Sequence, residues 1–137
     1  MNYIKVILIV FLGAVLPFAM LRISTEYDLL ADLAETTLYI YPIYLPVLCG
    51  WFGVKTYKET GKLLFPISLF NLALVFVSLC FTKMIFDSIE RSLADALIGL
   101  LLLGPVIYSF PVSYITAAIY KHKISRCLKG SDGNTAN

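Results

Sequence analysis

The sequence predicts an all-α, polytopic integral membrane protein in which four helices cross the bilayer as an antiparallel bundle. The chain has 137 residues, of which 59% are hydrophobic and 15% charged, and its mean hydropathy is +0.82. A soluble domain carries roughly 25% charged residues. Four continuous apolar runs, at residues 3–21, 38–54, 63–82 and 96–119, are each long enough to cross a hydrocarbon core of about 30 Å.

Each run is predicted to be a helix that stays in the membrane. The runs are continuous rather than alternating, so they do not resemble the strands of a membrane β-barrel. Run 3–21 exceeds the apolar core of about 7 to 15 residues found in a signal peptide, and no small-residue cleavage site follows it. We therefore expect one transmembrane domain over residues 1–126. Residues 127–137 have almost nothing apolar to bury and are expected to form a disordered tail.

The basic residues predict that both termini are cytoplasmic. Arg22, Lys83 and Arg91 lie in the two loops on one side of the predicted membrane. The other side carries Lys5, Lys55, Lys58, Lys62, Lys121, Lys123, Arg126 and Lys129. Because lysine and arginine concentrate in cytoplasmic loops, the richer side is assigned to the cytoplasm.

The two predicted outer loops are expected to contain short amphipathic helices. In residues 25–34 and 83–96, apolar side chains recur at intervals of three and four among acidic ones. Thr25 with Asp28 resembles a helix cap. Periodicity leaves open whether these helices lie in the membrane interface or extend the neighbouring spans.

An acidic outer face next to a tyrosine-rich span predicts a protein-binding surface. Seven carboxylates lie on this side, and they would attract a cationic partner at short range; solvated loop charges are the alternative. A small polar crevice between the second and fourth helices is expected to open outward. The candidate partner contacts are Tyr39, Tyr41, Tyr44, Glu26, Asp28, Asp32, Asp87 and Glu90.

Prolines and polar residues within the spans predict contacts between helices. Each mid-span proline leaves a carbonyl without its helical donor, and a nearby Ser, Tyr or water must satisfy it. Asn71 lies at about the depth of Ser113, counting 1.5 Å per residue, so a hydrogen bond between helices is expected. The residues assigned to polar packing between helices are Asn71, Tyr108, Ser109, Ser113 and Thr116.

The sequence offers little for catalysis, cofactors, metals or nucleic acid. No charge lies in the middle of a span, which argues against a proton-coupled transporter. The three cysteines form no Cys-x-x-Cys pair, and His122 is the single histidine, so no metal or cofactor site is expected. A net charge of +2, spread over separate places, does not predict nucleic-acid binding. A basic collar of Lys121, Lys123, Arg126 and Lys129 is either an orientation signal or a site for anionic lipid headgroups.

These features favour a small non-enzymatic protein of a bacterial inner membrane that acts through protein–protein contacts. An accessory subunit and an immunity protein against a membrane-active toxin both fit. The small polytopic architecture resembles that of immunity proteins for pore-forming bacteriocins, a likeness of shape without a shared motif. The alternative is a small oligomeric transporter or channel, since four helices seldom enclose a pathway alone. This alternative implies a homo-oligomer, and the lipid bilayer is a partner in either case.

Overall fold

The computed structural model describes residues 2–24, 26–86 and 93–132, and the side chains of 2–24, 26–84 and 97–128. Over these residues the chain is helical and has no strand: α1 Tyr3–Ser24, a 3-10 turn Asp28–Leu30, α2 Ala31–Thr60, α3 Phe65–Phe86 and α4 Leu93–Asp132. All four α-helices are long and apolar enough to cross a membrane. The prediction of an all-helical, multi-pass membrane protein is confirmed at this level.

The helices are longer than the apolar runs that predicted them. α2 starts at Ala31, so most of the predicted outer helix 25–34 is either its first turn or the preceding 3-10 turn. This amphipathic segment therefore extends the second span. Thr25 and its proposed cap lie outside the described residues. The second predicted outer helix, 83–96, also falls largely outside them, and its described ends belong to α3 and α4.

The turn between α2 and α3 depends on a glycine. Gly61 has a φ of +65°, a left-handed conformation that costs other residues energy, and its N–H bonds to the carbonyl of Tyr57. α2 thus ends at Thr60, and the loop predicted over residues 55–62 is mostly helix. Pro66 lies in the first turn of α3. A backbone N–H at this position has no acceptor within the helix, so proline costs no hydrogen bond there.

α4 continues to Asp132, so the expected disorder from residue 127 is wrong for residues 127–132. Composition suggested disorder because this segment has no core to join. Yet helix formers continue through Leu128 and Lys129, and extending a formed helix requires no new nucleation.

Every helix buries one stripe of side chains at intervals of three and four, the spacing of a helix that packs on one face. The stripes of α1 and α2 meet in the main core, which Leu74 and Val106 complete. Buried residues are Val6, Val10, Ala14 and Phe18 in α1, and Leu38, Tyr41, Leu45, Cys49 and Phe52 in α2. In α3 they are Ile67, Asn71, Leu74, Ser78 and Thr82, and in α4 they are Leu102, Val106, Ser109, Ser113 and Ala117.

α2 packs mainly against α4 and α1, while α3 packs mainly against α4. A turn as short as the one between α2 and α3 would allow these two helices to pack closely, but their contact is limited and includes the rings of Phe52 and Phe70, 4.1 Å apart. The starts of α1 and α3 and the ends of α2 and α4 lie together. We call this the basic end and the opposite one the acidic end, after their charged residues.

Candidate functional site

Two tyrosine hydroxyls bond to carbonyls that prolines leave free. Pro17 has no N–H to give to the carbonyl of Gly13, four residues earlier in α1. Tyr44 of α2 supplies the missing donor, with its hydroxyl 2.7 Å from the Gly13 oxygen. Tyr41 reaches the neighbouring carbonyl of Ala14 at 3.3 Å. The half of α2 nearer the acidic end is therefore hydrogen-bonded to α1 one turn before Pro17.

The same arrangement recurs between α2 and α4. Pro46 cannot donate to the carbonyl of Pro42, and the hydroxyl of Tyr108 donates to it instead. Three helices are thus linked by two proline–tyrosine contacts. The sequence predicted that freed carbonyls would be satisfied by Ser, Tyr or water, and in these two cases a tyrosine does so.

Of the polar residues assigned to helix packing, Asn71 and Ser113 bond across the α3–α4 contact, whereas Tyr108 and Thr116 face α2. The amide nitrogen of Asn71 donates to the Ser113 hydroxyl at 3.0 Å and to its own helix at the Ile67 carbonyl, 2.9 Å away. Ser109 and Thr116 donate to carbonyls four residues back, each at 2.5 Å. Every buried side-chain polar atom of the described residues has a partner. The described interior therefore contains polar side chains, and their buried polar atoms are hydrogen-bonded.

Where Gly50 and Gly53 face α4, glycines let α2 and α4 meet, so the crevice predicted between these helices does not extend to this level. A Cβ on Gly53 would collide with the backbone carbonyl of Ser113, and one on Gly50 would stand 3.1 Å from the Thr116 hydroxyl. Small residues allow this approach, and close backbone packing is a main source of attraction between helices in lipid.

A cleft instead opens at the acidic end, among α1, α2 and α4. Its volume is about 330 Å³, and its lining is mostly apolar. Glu35 is the one charged residue of the lining, and Tyr39 stands beside it with 64% of its surface exposed. The lining comprises Leu21, Ser24, Ala31, Ala34, Glu35, Leu38, Tyr39, Ile98 and Leu101.

The structure separates the described candidate partner contacts into three groups. Tyr39 is exposed, and so are Glu26, Asp28 and Asp32. Tyr41 is fully buried on the core-facing stripe of α2, so its assignment as a partner contact is wrong. Tyr44 is half-buried, and its hydroxyl is occupied by Gly13. Asp87 and Glu90 lie outside the described residues.

At the basic end the ends of α2 and α4 are joined by aromatic contacts. Lys58 Nζ lies 4.9 Å from the centre of the Tyr120 ring, which also meets the Tyr57 ring edge-on at 6.4 Å. Lys55 pairs with Glu59 at 3.6 Å. Of the predicted basic collar, Lys121, Lys123 and Arg126 are exposed, and the side chain of Lys129 is not among those described.

The cysteines are free thiols: Cys49 is buried, while Cys80 and Cys127 are exposed. Within the described part of the chain no group of His, Cys, Asp or Glu is arranged to hold a metal ion.

Sequence reasoning missed two contacts at the basic end. The Tyr3 hydroxyl lies 3.2 Å from that of Thr56, and the Tyr114 hydroxyl bonds to Ser68 and to the Leu64 carbonyl. The depth count that paired Asn71 with Ser113 also puts Ser68 near Tyr114. Nothing in the sequence, however, told which face of each helix was turned inward.

The described residues thus form an all-helical, multi-pass membrane protein. Comparison with known proteins finds no matching family model, no similar curated protein and no similar solved structure.

Proposed function

We propose that this chain is a non-enzymatic protein of a bacterial inner membrane that acts by binding another protein at its acidic end. It would serve as an accessory subunit or as an immunity protein against a membrane-active toxin. The observation that carries the proposal is the cleft among α1, α2 and α4, with Glu35 and Tyr39 at its edge.

The charge distribution supports an orientation with the acidic end outside and both termini in the cytoplasm. Seven lysines and arginines with described side chains lie at the basic end, whereas Arg22 and Lys83 lie at the other. The α1–α2 contacts bring the start of α1 to the end of α2, since Tyr3 meets Thr56. Clustering of basic residues on one side is the usual cytoplasmic signal. An antiparallel four-helix bundle follows from this orientation.

The acidic end, where the cleft opens, has the mixed chemistry of a protein-binding surface. Leu29 is 94% exposed, and Tyr27, Leu33 and Tyr39 are also largely exposed. Acidic side chains stand among them, as exposed Glu26, Asp28, Asp32 and Glu35. Exposed apolar groups rimmed by polar ones mark interaction sites, and here the charge favours a cationic partner.

The packing gives less support to a pathway for solutes through one copy of the chain. Tyr41, Leu45 and Phe52 fill the space between the helices, and buried polar groups are bonded to protein atoms. A transport pathway would need unpaired polar groups facing a water-filled space. A transporter would therefore have to form its pathway between copies of the chain, and the cleft leads us to favour the binding role.

Filling the cleft tests the proposal. Ala31 lines it and is exposed, so Ala31→Trp should block a partner while leaving the core intact. Ala73→Trp is the matched control, because Ala73 is exposed on α3, away from the cleft. Cells producing each variant would be challenged with the toxin encoded beside the gene, and membrane complexes would be crosslinked in parallel.

We expect protection, or a crosslinked complex, with the parent chain and Ala73→Trp but not with Ala31→Trp. The binding role would be contradicted if the parent chain gave no protection and formed no crosslinked complex. Equal behaviour of the two variants would contradict the assignment to the cleft.

A further inference from the structure

The face of α4 that packs against the other helices continues beyond them. Leu102, Val106, Ser109, Ser113 and Ala117 are buried along this face. The last contacts of α2 with it are those of Tyr57 and Lys58 on Tyr120. Past that point α4 has no helix beside it in the described part of the chain, and all side chains from Lys121 to Leu128 are exposed.

The exposed continuation is amphipathic. Tyr120, Ile124 and Leu128 follow one another at intervals of four, so they share one side of the helix and extend the buried face. Leu128 is 65% exposed. Lys121 and Lys123 lie on either side of these residues. In coiled coils, charges that flank an apolar seam in this way select the partner helix. We call Tyr120, Ile124 and Leu128 the apolar stripe.

The bilayer does not cover the far end of the apolar stripe if α4 continues along its own axis and its uncharged segment spans the hydrocarbon core. Residues 97–120 carry no charge and extend about 36 Å at 1.5 Å per residue, enough to cross the hydrocarbon core. Leu128 lies about 12 Å beyond Tyr120 on the same scale. The headgroup layer is only roughly 5 to 8 Å thick on each side. On this placement Ile124, about 6 Å beyond Tyr120, lies in the headgroup layer and Leu128 lies in water.

A second copy of the chain is also a poor match for the apolar stripe. Pairing two such helices would bring Lys121 and Lys123 of both copies together, and like charges that face each other destabilise a helix pair. A helix with acidic residues at its edges would meet the same lysines favourably.

We propose that the apolar stripe and its flanking lysines bind an acidic amphipathic helix of another protein. The interaction extends the interface that α4 already makes with α2. It lies at the opposite end of the molecule from the cleft and does not depend on the function proposed there.

The exposed thiol of Cys127 borders the apolar stripe and reports on its coverage. A chain carrying Cys80→Ala would be produced at low level, and its reaction with a maleimide would be timed in opened native membranes and after purification in uncharged detergent. We expect labelling in membranes to be about tenfold slower, as occupancy of roughly nine tenths of the copies requires. The control combines Cys127→Ser with His122→Cys, which moves the thiol to the side of the helix opposite the apolar stripe, and should label equally in both preparations.

Charge and occupant are then tested separately. In native membranes, the protection of Cys127 from maleimide should disappear in high salt and in the variant with Lys121→Gln and Lys123→Gln. An amphipathic peptide of leucine and glutamate should restore it to the purified protein, whereas a leucine–lysine peptide of equal length should not.

Four results would overturn the proposal. The first is equal labelling of Cys127 in both preparations, and the second is slow labelling in vesicles of purified protein and anionic phospholipid alone. The third is slow labelling that persists in detergent for a species with the mass of a dimer. The fourth is failure of the acidic peptide to slow the labelling. The second result would assign the apolar stripe to the bilayer and the third to a second copy.

Discussion

Replacing Tyr44 by phenylalanine tests the proline–tyrosine contact most sharply. The substitution removes one hydroxyl and leaves the ring in place, so packing is nearly unchanged. The carbonyl of Gly13 then loses the donor at 2.7 Å that replaced the N–H missing at Pro17.

The expected decrease in the free energy of unfolding is larger than the decrease on removing an ordinary hydrogen bond between helices in a membrane. Such bonds average about 0.6 kcal/mol and reach about 1.7 kcal/mol, because the separated helices also find partners. A shielded carbonyl left without any donor costs about 1 to 3 kcal/mol. We therefore expect Tyr44→Phe to lower the free energy of unfolding by about 1.5 kcal/mol.

A double-mutant cycle isolates the contribution of the proline. Pro17→Ala restores an N–H that can bond to Gly13 within α1, so Tyr44→Phe should cost only about 0.5 kcal/mol in that background. Tyr41→Phe is the internal control: the carbonyl of Ala14, 3.3 Å away, keeps the N–H of Phe18, and a loss of about 0.5 kcal/mol is expected with or without Pro17.

Unfolding would be followed by circular dichroism in mixed micelles as the fraction of denaturing detergent is raised. Equal losses for Tyr44→Phe in both backgrounds would refute the reasoning, because the hydroxyl would then do nothing that the missing N–H requires. A stability unchanged by Tyr44→Phe in the parent chain would show that water reaches the Gly13 carbonyl.

Three further predictions concern packing and orientation. Gly53→Ala should destabilise the protein by about 2 kcal/mol or more, because its Cβ would strike the Ser113 carbonyl, whereas Gly104→Ala, which meets open space, should be neutral or stabilising by up to about 1 kcal/mol in the same unfolding assay. Asn71→Ala should cost about 0.6 to 1.7 kcal/mol, and much less when Ser113 is already alanine; additive losses would contradict the hydrogen bond between them. An impermeant maleimide should label Glu26→Cys in intact cells, and labelling only after the membrane is opened would reverse the proposed orientation.

The number and position of the spans could be predicted because run length and bilayer thickness are both fixed by physical dimensions. Depth along a helix was equally accessible: a rise of 1.5 Å per residue put Asn71 level with Ser113, and these residues do bond. The consequence of Pro17 and Pro46 also followed from chemistry, since a missing N–H must be replaced in an apolar medium.

The inward-facing side of each helix could not be predicted. α2 is apolar on all its sides within the span, so periodicity did not reveal that Tyr41 faces the core while Tyr39, two residues earlier, faces outward. The cleft could not be predicted either, because it forms only where three helix ends converge. Composition likewise gave no sign that α4 would remain helical past Arg126.

The most direct measurement of the central claim is photo-crosslinking from the cleft in living cells. A benzophenone amino acid would replace Tyr39 at the cleft or, as the control, Phe76, an exposed aromatic residue of α3 on an otherwise apolar surface. Binding at the acidic end predicts one protein adduct of defined mass from position 39, which disappears with Glu35→Lys, and none from position 76. Equal adducts from both positions, or none from position 39 in cells that carry the neighbouring genes, would contradict it.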